Sequence, residues 1–358
     1  MKILCLCREE HHWKLIPGYA EAFRRRGTDF SCVEDSVPLD ASLNEVVRNS
    51  GSVPSAIFHF ESAHPRFPIG LEKSEIPTVC FHPDTYAFTE RRIRWSSVFD
   101  HAVVFHPGYA ERFQKAGHPG ALLLPHAVRR EFFDGPELER EFEIGWVGQT
   151  AGPFYQARAG WLPKLAREFR TNDWSRGYTV REVADTYRRS KIVVNIGRDD
   201  FPQDANLRVF EVLASGALLL TSLPSELQQL GFREGEQFVG YRDSREIDGL
   251  VRKYLDDEPA RTRMASAARE LVLREHTYDR RAEQLLTRLT ETPESRQAPA
   301  RSWPDARARL VAMDFYAAHG LSGCAAAQFR HVAGQGFSET MEAASLLSRA
   351  WLRSLRGG

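Results

Sequence analysis

Short apolar runs separated by helical stretches constrain this chain more than any other feature. In the first half the runs are Lys2–Cys7, Ser55–Phe60, Thr78–Phe81, Ala102–Phe105 and Ala121–Leu124. Runs this short and this continuously apolar read as strands buried on both faces. Helical stretches lie between them: Ile16–Arg26, ended by Gly27; Thr85–Arg94; and Tyr109–Ala116, ended by Gly117. Strands joined by crossover helices pair in parallel, because the helix returns the chain to the same end of the sheet. The alternation restarts at strand Glu143–Val147. Helix Ala157–Phe169 follows, then helix Thr179–Arg189, which Thr179 and Glu182 open in capping-box spacing. Strands Ile192–Ile196, Leu218–Thr221 and Phe238–Gly240 come next, then helices Arg245–Leu255, Pro259–Glu275 and Arg280–Leu289.

Between the two series, Ala127–Glu143 is polar and rich in Arg, Glu and Asp. This places one α/β domain over 1–135 and a second over 136–292. Residues 293–358 form a linker and a helical extension: Thr290–Pro304 is rich in Pro, Ser and Arg, and Asp305–Leu355 reads as about three helices broken near Gly320–Gly323 and Gly334–Gly336. The expectation is a small bundle against the second domain. Two doubly wound domains in series imply a cleft, with ligands at the carboxyl ends of the strands.

The chain has 358 residues, with Lys+Arg and Asp+Glu balanced at 48 each. That balance disfavours a protein built to grip nucleic acid, which carries a basic excess. The opening residues are too short an apolar run for a secretory signal, and no stretch approaches the ~20 apolar residues of a spanning helix. Cys5, Cys7, Cys32, Cys80 and Cys324 lack metal-ligand spacing. The expectation is a cytoplasmic, reduced protein.

Residues 205–221, ANLRVFEVLASGALLLT, read as a polar loop, a short helix and a buried strand. Arg208 and Glu211 share one face of the helix near its start, and Gly216 supplies the left-handed turn that ends it. A helix N-terminus presents free N–H groups and partial positive charge, which suits a diphosphate. An arginine adds a fork of donors, and a glutamate can accept hydrogen bonds from the vicinal hydroxyls of a ribose. The competing reading is a solvated Arg–Glu surface pair.

The segments IGWVG (Ile144–Gly148), YRRSKIVVN (Tyr187–Asn195), NLRVFEVLASG (Asn206–Gly216) and HTYDR (His276–Arg280) resemble the glycosyltransferase group 1 family, in the branch of the spore-maturation CgeB-like proteins. Looser matches are IPTVCFHPDTY (Ile76–Tyr86), FDHAVVF (Phe99–Phe105) and LPHAV (Leu124–Val128), so the resemblance covers roughly residues 55–290. It implies a GT-B fold, with two Rossmann-like domains facing a cleft. The C-terminal domain would hold a nucleotide-diphosphate sugar and the N-terminal domain most of the acceptor. It implies metal independence and, as in most of the group, retaining chemistry.

The resemblance assigns Glu211 to the ribose and Arg208, Asn206, Arg158 and Gly148 to the donor diphosphate. Many relatives carry a glutamate eight positions before Glu211, where this chain has Gln203. Gln203 or Asp204 would cover that role. His82 matches a histidine facing the donor sugar, against the plainer reading of a loop histidine beside Pro83. Asp84 is a candidate general base for an inverting reaction, or a cap for the next helix. Asn195 reads as a structural residue holding the loop Gly197–Ala205. Trp174 or Tyr178 would stack on the base or pack in the core. His11, His12 and His126 border the acceptor side. Arg24–Arg26 with Arg91, Arg92, Arg94 and Trp95 offer a basic patch for peripheral contact with an anionic membrane, or a solvated helix face.

These readings converge on a sugar transferase with an unidentified acceptor. The alternatives are a sugar-nucleotide epimerase, a non-catalytic nucleotide-sugar-binding or scaffold protein of the same fold, and a DNA-modifying transferase, the last disfavoured by the neutral charge.

Overall fold

The computed structural model describes residues 1–8, 14–61, 66–290 and 298–354. The histidines at 11 and 12 lie outside the described residues. The chain divides into two compact units, Met1–Leu124 with Ala282–Gly358, and Pro125–Arg281. The crossings therefore fall at 124/125 and 281/282, beside the 135/136 and 292/293 drawn from composition.

The first unit holds a six-stranded sheet in the order β2-β1-β3-β4-β5-β6. Its strands are β1 (Lys2–Cys5), β2 (Asp29–Cys32), β3 (Ala56–Phe60), β4 (Thr78–His82), β5 (His101–Val104) and β6 (Ala121–Leu123), and every pairing is parallel. Its first helices are α1 (Leu15–Arg25), α2 (Leu43–Asn49), α3 (Thr89–Ser96) and α4 (Tyr109–Lys115). β2 and α2 carry too little apolar periodicity to be seen in the sequence. All five residues of β3 are buried. Phe58 and Phe60 stack with Tyr19, Phe23 and Phe81 on one side of the sheet, and His59 meets Phe67, Phe99 and Phe315 on the other.

Phe315 belongs to the C-terminal helices, α12 (Asp305–Ala318), α13 (Ser322–Val332) and α14 (Phe337–Ser354). These helices pack on the first unit, correcting the expectation that they cover the second. The reason is apolar complementarity: Val311, Ala312 and Phe315 join one core cluster with Leu4, Ile57 and Ala102 of the sheet and with Trp95 of α3. Phe315 lies 4.4 Å from Phe67 and 4.9 Å from Trp95, ring centre to ring centre. The Trp95 indole donates to Asp314 at 3.0 Å, and the Tyr316 hydroxyl donates to the Phe67 carbonyl at 2.8 Å. The end of the expected linker is also seated here: Ala300 is fully buried and its N–H donates to the Ser97 carbonyl.

The α3 half of the expected basic patch is engaged within the first unit, while Arg24, Arg25 and Arg26 stay exposed. Arg92 is buried and makes a two-pronged pair with Glu61, Arg91 faces Asp314, and Arg94 pairs with Glu342. Arg24 reaches the Phe30 carbonyl. The expected helix at 85–94 begins later: Phe88, at φ 49°, precedes α3.

The second unit holds a parallel four-stranded sheet, ordered β10-β9-β8-β7. Its strands are β7 (Phe142–Gly145), β8 (Ser190–Asn195), β9 (Leu218–Ser222) and β10 (Val239–Tyr241). Its helices are α5 (Gln156–Glu168), α6 (Val180–Arg188), α7 (Leu207–Ser215), α8 (Glu226–Gln229), α9 (Ile247–Asp256) and α10 (Glu258–Glu275), and α11 (Tyr278–Thr290) carries the chain back. Thr179 and Glu182 form the expected capping box at α6. The unit begins at 125 because the closing motif pairs with that segment. Val128 exchanges backbone hydrogen bonds with His276 and Tyr278, and Arg281 donates to the Pro125 carbonyl at 2.9 Å. His126 consequently sits in this unit, near Phe210, and not in the first.

Candidate functional site

The site gathers at the carboxyl ends of β7 and β8. Trp146, the residue after β7, is fully buried. Asn172 holds its backbone on both sides, accepting from its N–H at 2.9 Å and donating to its carbonyl at 2.8 Å. Two guanidinium groups lie against the indole. That of Arg208 is 4.3 Å from the ring centre and that of Arg158 is 5.2 Å away. Arg158 also stands 4.0 Å over the Tyr155 ring. Aromatic faces attract cations, most strongly where water is excluded.

Both arginines spend donors on backbone and amide oxygens. Arg208 donates through Nε to the Val147 carbonyl at 3.0 Å and through Nη1 to Asn195 Oδ1 at 3.2 Å. Arg158 donates through Nε to the Ile196 carbonyl at 2.8 Å and through Nη1 to the Gln149 carbonyl at 3.2 Å. Among the described residues neither guanidinium forms an ion pair with a carboxylate. Burial first, then the neighbouring Arg208 charge, push Arg158 down to about 10, so it stays charged at neutral pH. Two cations oriented by carbonyl and amide oxygens, with Asp204 acting on Arg158 only at a distance, attract an anion.

Gly148 makes this arrangement possible. Its φ is +141°, and a Cβ built on it would stand 2.2 Å from Arg208 Nη2. Only glycine fits both the backbone and the close approach. Asn195, at the end of β8, links Arg208 to Thr221 Oγ1 on β9, to which its amide donates at 3.0 Å. Its side chain bridges α7 and β9, where the structural reading expects it to hold the loop Gly197–Ala205. Asp199 accepts from the N–H groups of Gln156 and Ala157, capping α5 and fixing the loop that leads to α7.

Asn206 is the residue before α7, and its side chain does not cap the helix. Its amide donates instead to Asp204 at 3.3 Å. Gln203 is held through its backbone carbonyl, which accepts from Glu226 N–H at 3.0 Å. Glu211 lies on α7 three residues past Arg208 and is buried. The surface-pair reading therefore fails: Arg208 turns to the β7 end, and Glu211 points away from bulk solvent. Gly216 ends α7 at φ 74°, as expected.

The structure brings Arg208, Arg158 and Gly148 together around Trp146, with Asn206 and Glu211 on the same helix as Arg208. His82 and Asp84 belong to the first unit. His82 is buried at the end of β4 with both ring nitrogens engaged, Nδ1 with Glu61 at 3.2 Å and Nε2 with Ser96 Oγ at 2.9 Å. Burial holds its pKa below the ordinary histidine value. Asp84 is exposed on a turn, where its carbonyl accepts from Ala87 N–H; it does not cap α3. Trp174 donates to Asn172 Oδ1 and packs in the core, and Tyr178 donates to the Asp173 carbonyl. The participant missed in the sequence is Trp146. Its signal was an aromatic residue immediately after a buried strand.

Residues 138–287 match the family described as glycosyl transferase-like. No curated protein matches the sequence. Among solved structures the chain is similar to HepE of Anabaena in complex with UDP and glucose, at 12% identity and a TM-score of 0.57, covering 81% of this chain and 99% of that one. It is similar to a sucrose-phosphate synthase of Thermosynechococcus elongatus, at 11% identity and a TM-score of 0.54, covering 80% and 98%. A glycosyltransferase of Rickettsia africae aligns at 8% identity and a TM-score of 0.55, covering 80% and 97%. The chain thus has the fold of the GT-B glycosyltransferases, and its residues 138–287 are similar to a glycosyl transferase-like family.

Proposed function

We propose that this protein transfers a sugar from a nucleotide-diphosphate sugar to a hydroxyl acceptor. The observation that carries the reading is the Arg158–Arg208 pair on Trp146, oriented by carbonyl and amide oxygens and, among the described residues, in no ion pair with a carboxylate. Departure of a nucleoside diphosphate is the step at which most charge develops, and fixed guanidiniums beside a helix N-terminus stabilise it. Glu211, buried one turn along α7, takes the ribose hydroxyls. The Anabaena HepE structures hold UDP and UDP-glucose, which favours a uridine nucleotide as donor.

In this reading the cationic groups do the work of a metal, and the reaction retains configuration, with the leaving phosphate accepting the acceptor's proton. His82 has no open ring nitrogen to offer and acts by holding Glu61 and Ser96 in place. The branch assignment, to the CgeB-like proteins, rests on the NLRVFEVLASG and HTYDR segments.

The test is titration with UDP, GDP and ADP, followed by incubation with the matching sugar nucleotides and product analysis. Saturable binding lost in Arg208→Ala, with sugar released or transferred, supports the reading. An isomerised sugar nucleotide as product assigns the epimerase alternative. Absence of binding by any nucleotide leaves the scaffold.

A further inference from the structure

The second unit has a cavity at the opposite, amino ends of its strands. Its volume is about 320 Å³. It is bounded by the segment before β7, by the ends of α6 and α7, and by α10. Its lining carries Arg140, Arg188, Arg261 and Arg269 against Glu137 and Glu258. Four cations against two carboxylates leave the lining positive.

These arginines are positioned by carbonyls more than by carboxylates. Arg140 donates to the Ser190 carbonyl at 2.9 Å and to the Gly216 carbonyl at 2.8 Å, tying the starts of β8 and β9 together. Arg188 reaches the Pro136 carbonyl, Arg261 the carbonyls of Tyr254 and Leu255, and Arg269 the Phe133 carbonyl. The carboxylates that approach them stand off, Asp185 and Glu258 at 3.5 Å and Asp134 at 4.0 Å. Burial lowers the Arg140 pKa, and the Arg188, Arg261 and Arg269 charges lower it further, against the opposing pull of Glu137. Carbonyls orient guanidiniums but cancel no charge, so like charges converge here at an electrostatic cost that an anion would relieve.

We infer that this cavity binds a small phosphorylated anion, at a site separate from the donor site. Guanidinium groups match phosphate oxygens in geometry and charge. The volume suits a diphosphate or a phosphorylated monosaccharide. Separation from the donor site follows from topology. Arg208 and Trp146 lie at the carboxyl ends of the strands, and the cavity lies at the amino ends. Ser215 and Gly216 form part of its wall, about 13 Å along α7 from the end that carries Arg208.

The experiment uses the full chain with Arg208→Ala, which weakens phosphate affinity at the donor site by removing one of its two guanidiniums. It is titrated calorimetrically with inorganic phosphate and with inorganic pyrophosphate. Saturable binding is expected, weakened at least tenfold by Arg269→Glu and by Arg261→Gln in chains that still melt cooperatively. Tighter binding of pyrophosphate identifies a diphosphate-sized ligand, and equal binding identifies a single phosphoryl group. A parallel measurement needs no cavity variant: pyrophosphate protects Arg269 from phenylglyoxal in the Arg208→Ala chain, read by mass spectrometry. No binding to the Arg208→Ala chain overturns the inference. So does binding that survives Arg269→Glu, or modification of Arg269 that pyrophosphate leaves unchanged. None of these outcomes bears on the donor reading, which Arg208 carries.

Discussion

Replacing Gly148 with alanine tests the geometry of the candidate site most sharply. The added Cβ would stand 2.2 Å from Arg208 Nη2 and 3.3 Å from Cζ. Restoring a van der Waals gap of ~3.5 Å moves the guanidinium by about 1 Å or more. The Arg208 bonds to the Val147 carbonyl at 3.0 Å and to Asn195 Oδ1 at 3.2 Å cannot both survive that shift. Hydrogen bonds to a charged group contribute about 1.5–3 kcal/mol each. A misaimed Arg208 that loses one such bond to the donor diphosphate therefore weakens binding roughly ten- to hundredfold. The strained φ adds about 1–3 kcal/mol of folding cost, seen as a lower melting temperature. The assay is calorimetric titration with UDP for the wild type, Gly148→Ala, Arg208→Ala and the double variant. Both single variants should lose affinity, and the double variant should bind no worse than Arg208→Ala, because the alanine acts only through the arginine. Full additivity, or wild-type affinity in Gly148→Ala, refutes the steric reasoning. Wild-type affinity in Arg208→Ala refutes the site itself.

Glu211→Ala should lose donor affinity by at least tenfold with the cooperative melt retained, checked by the same titration. Phe315→Ala opens a hole between the C-terminal helices and the first unit's sheet; about 3–5 kcal/mol of stability should be lost, read by urea unfolding. Burial holds His59 down to about 3, and its ring nitrogens have no hydrogen-bond partner. The unfolded chain takes a proton near pH 6.5 that the folded chain refuses until about 3. Stability is therefore full above pH 6.5 and declines by about 1.4 kcal/mol per pH unit below it. His59→Phe should flatten the slope of unfolding free energy against pH by one proton between pH 6 and 4, and an unchanged slope would place the sensitivity elsewhere.

The α/β alternation was legible because buried parallel strands need continuous apolar runs, and a 3.6-residue period marks the helices between them. The tail was legible as three helices for the same reason. β2, with the exposed Asp29 in a four-residue run, was not. α7 was readable in detail, since Gly216 and the Arg208–Glu211 spacing are local signals. Trp146 was not singled out, because an aromatic after a strand is usually core, and its role depends on two arginines 12 and 62 residues further along the chain. His82 illustrates the reverse: its position at a strand end suggested chemistry, but Glu61 and Ser96 occupy both its nitrogens.

The sequence by itself therefore determined the class of fold and the helix that carries Arg208 and Glu211, since both follow from periodicity and backbone preference within a few turns of chain. Tertiary structure alone decided what each charged side chain faces. It buried Arg92 on Glu61, set Arg158 and Arg208 on one indole, gathered Arg140, Arg188, Arg261 and Arg269 about a cavity, and laid the tail on the first unit. The physical reason is that a charge answers to its neighbours in space, and those neighbours come from distant parts of the chain.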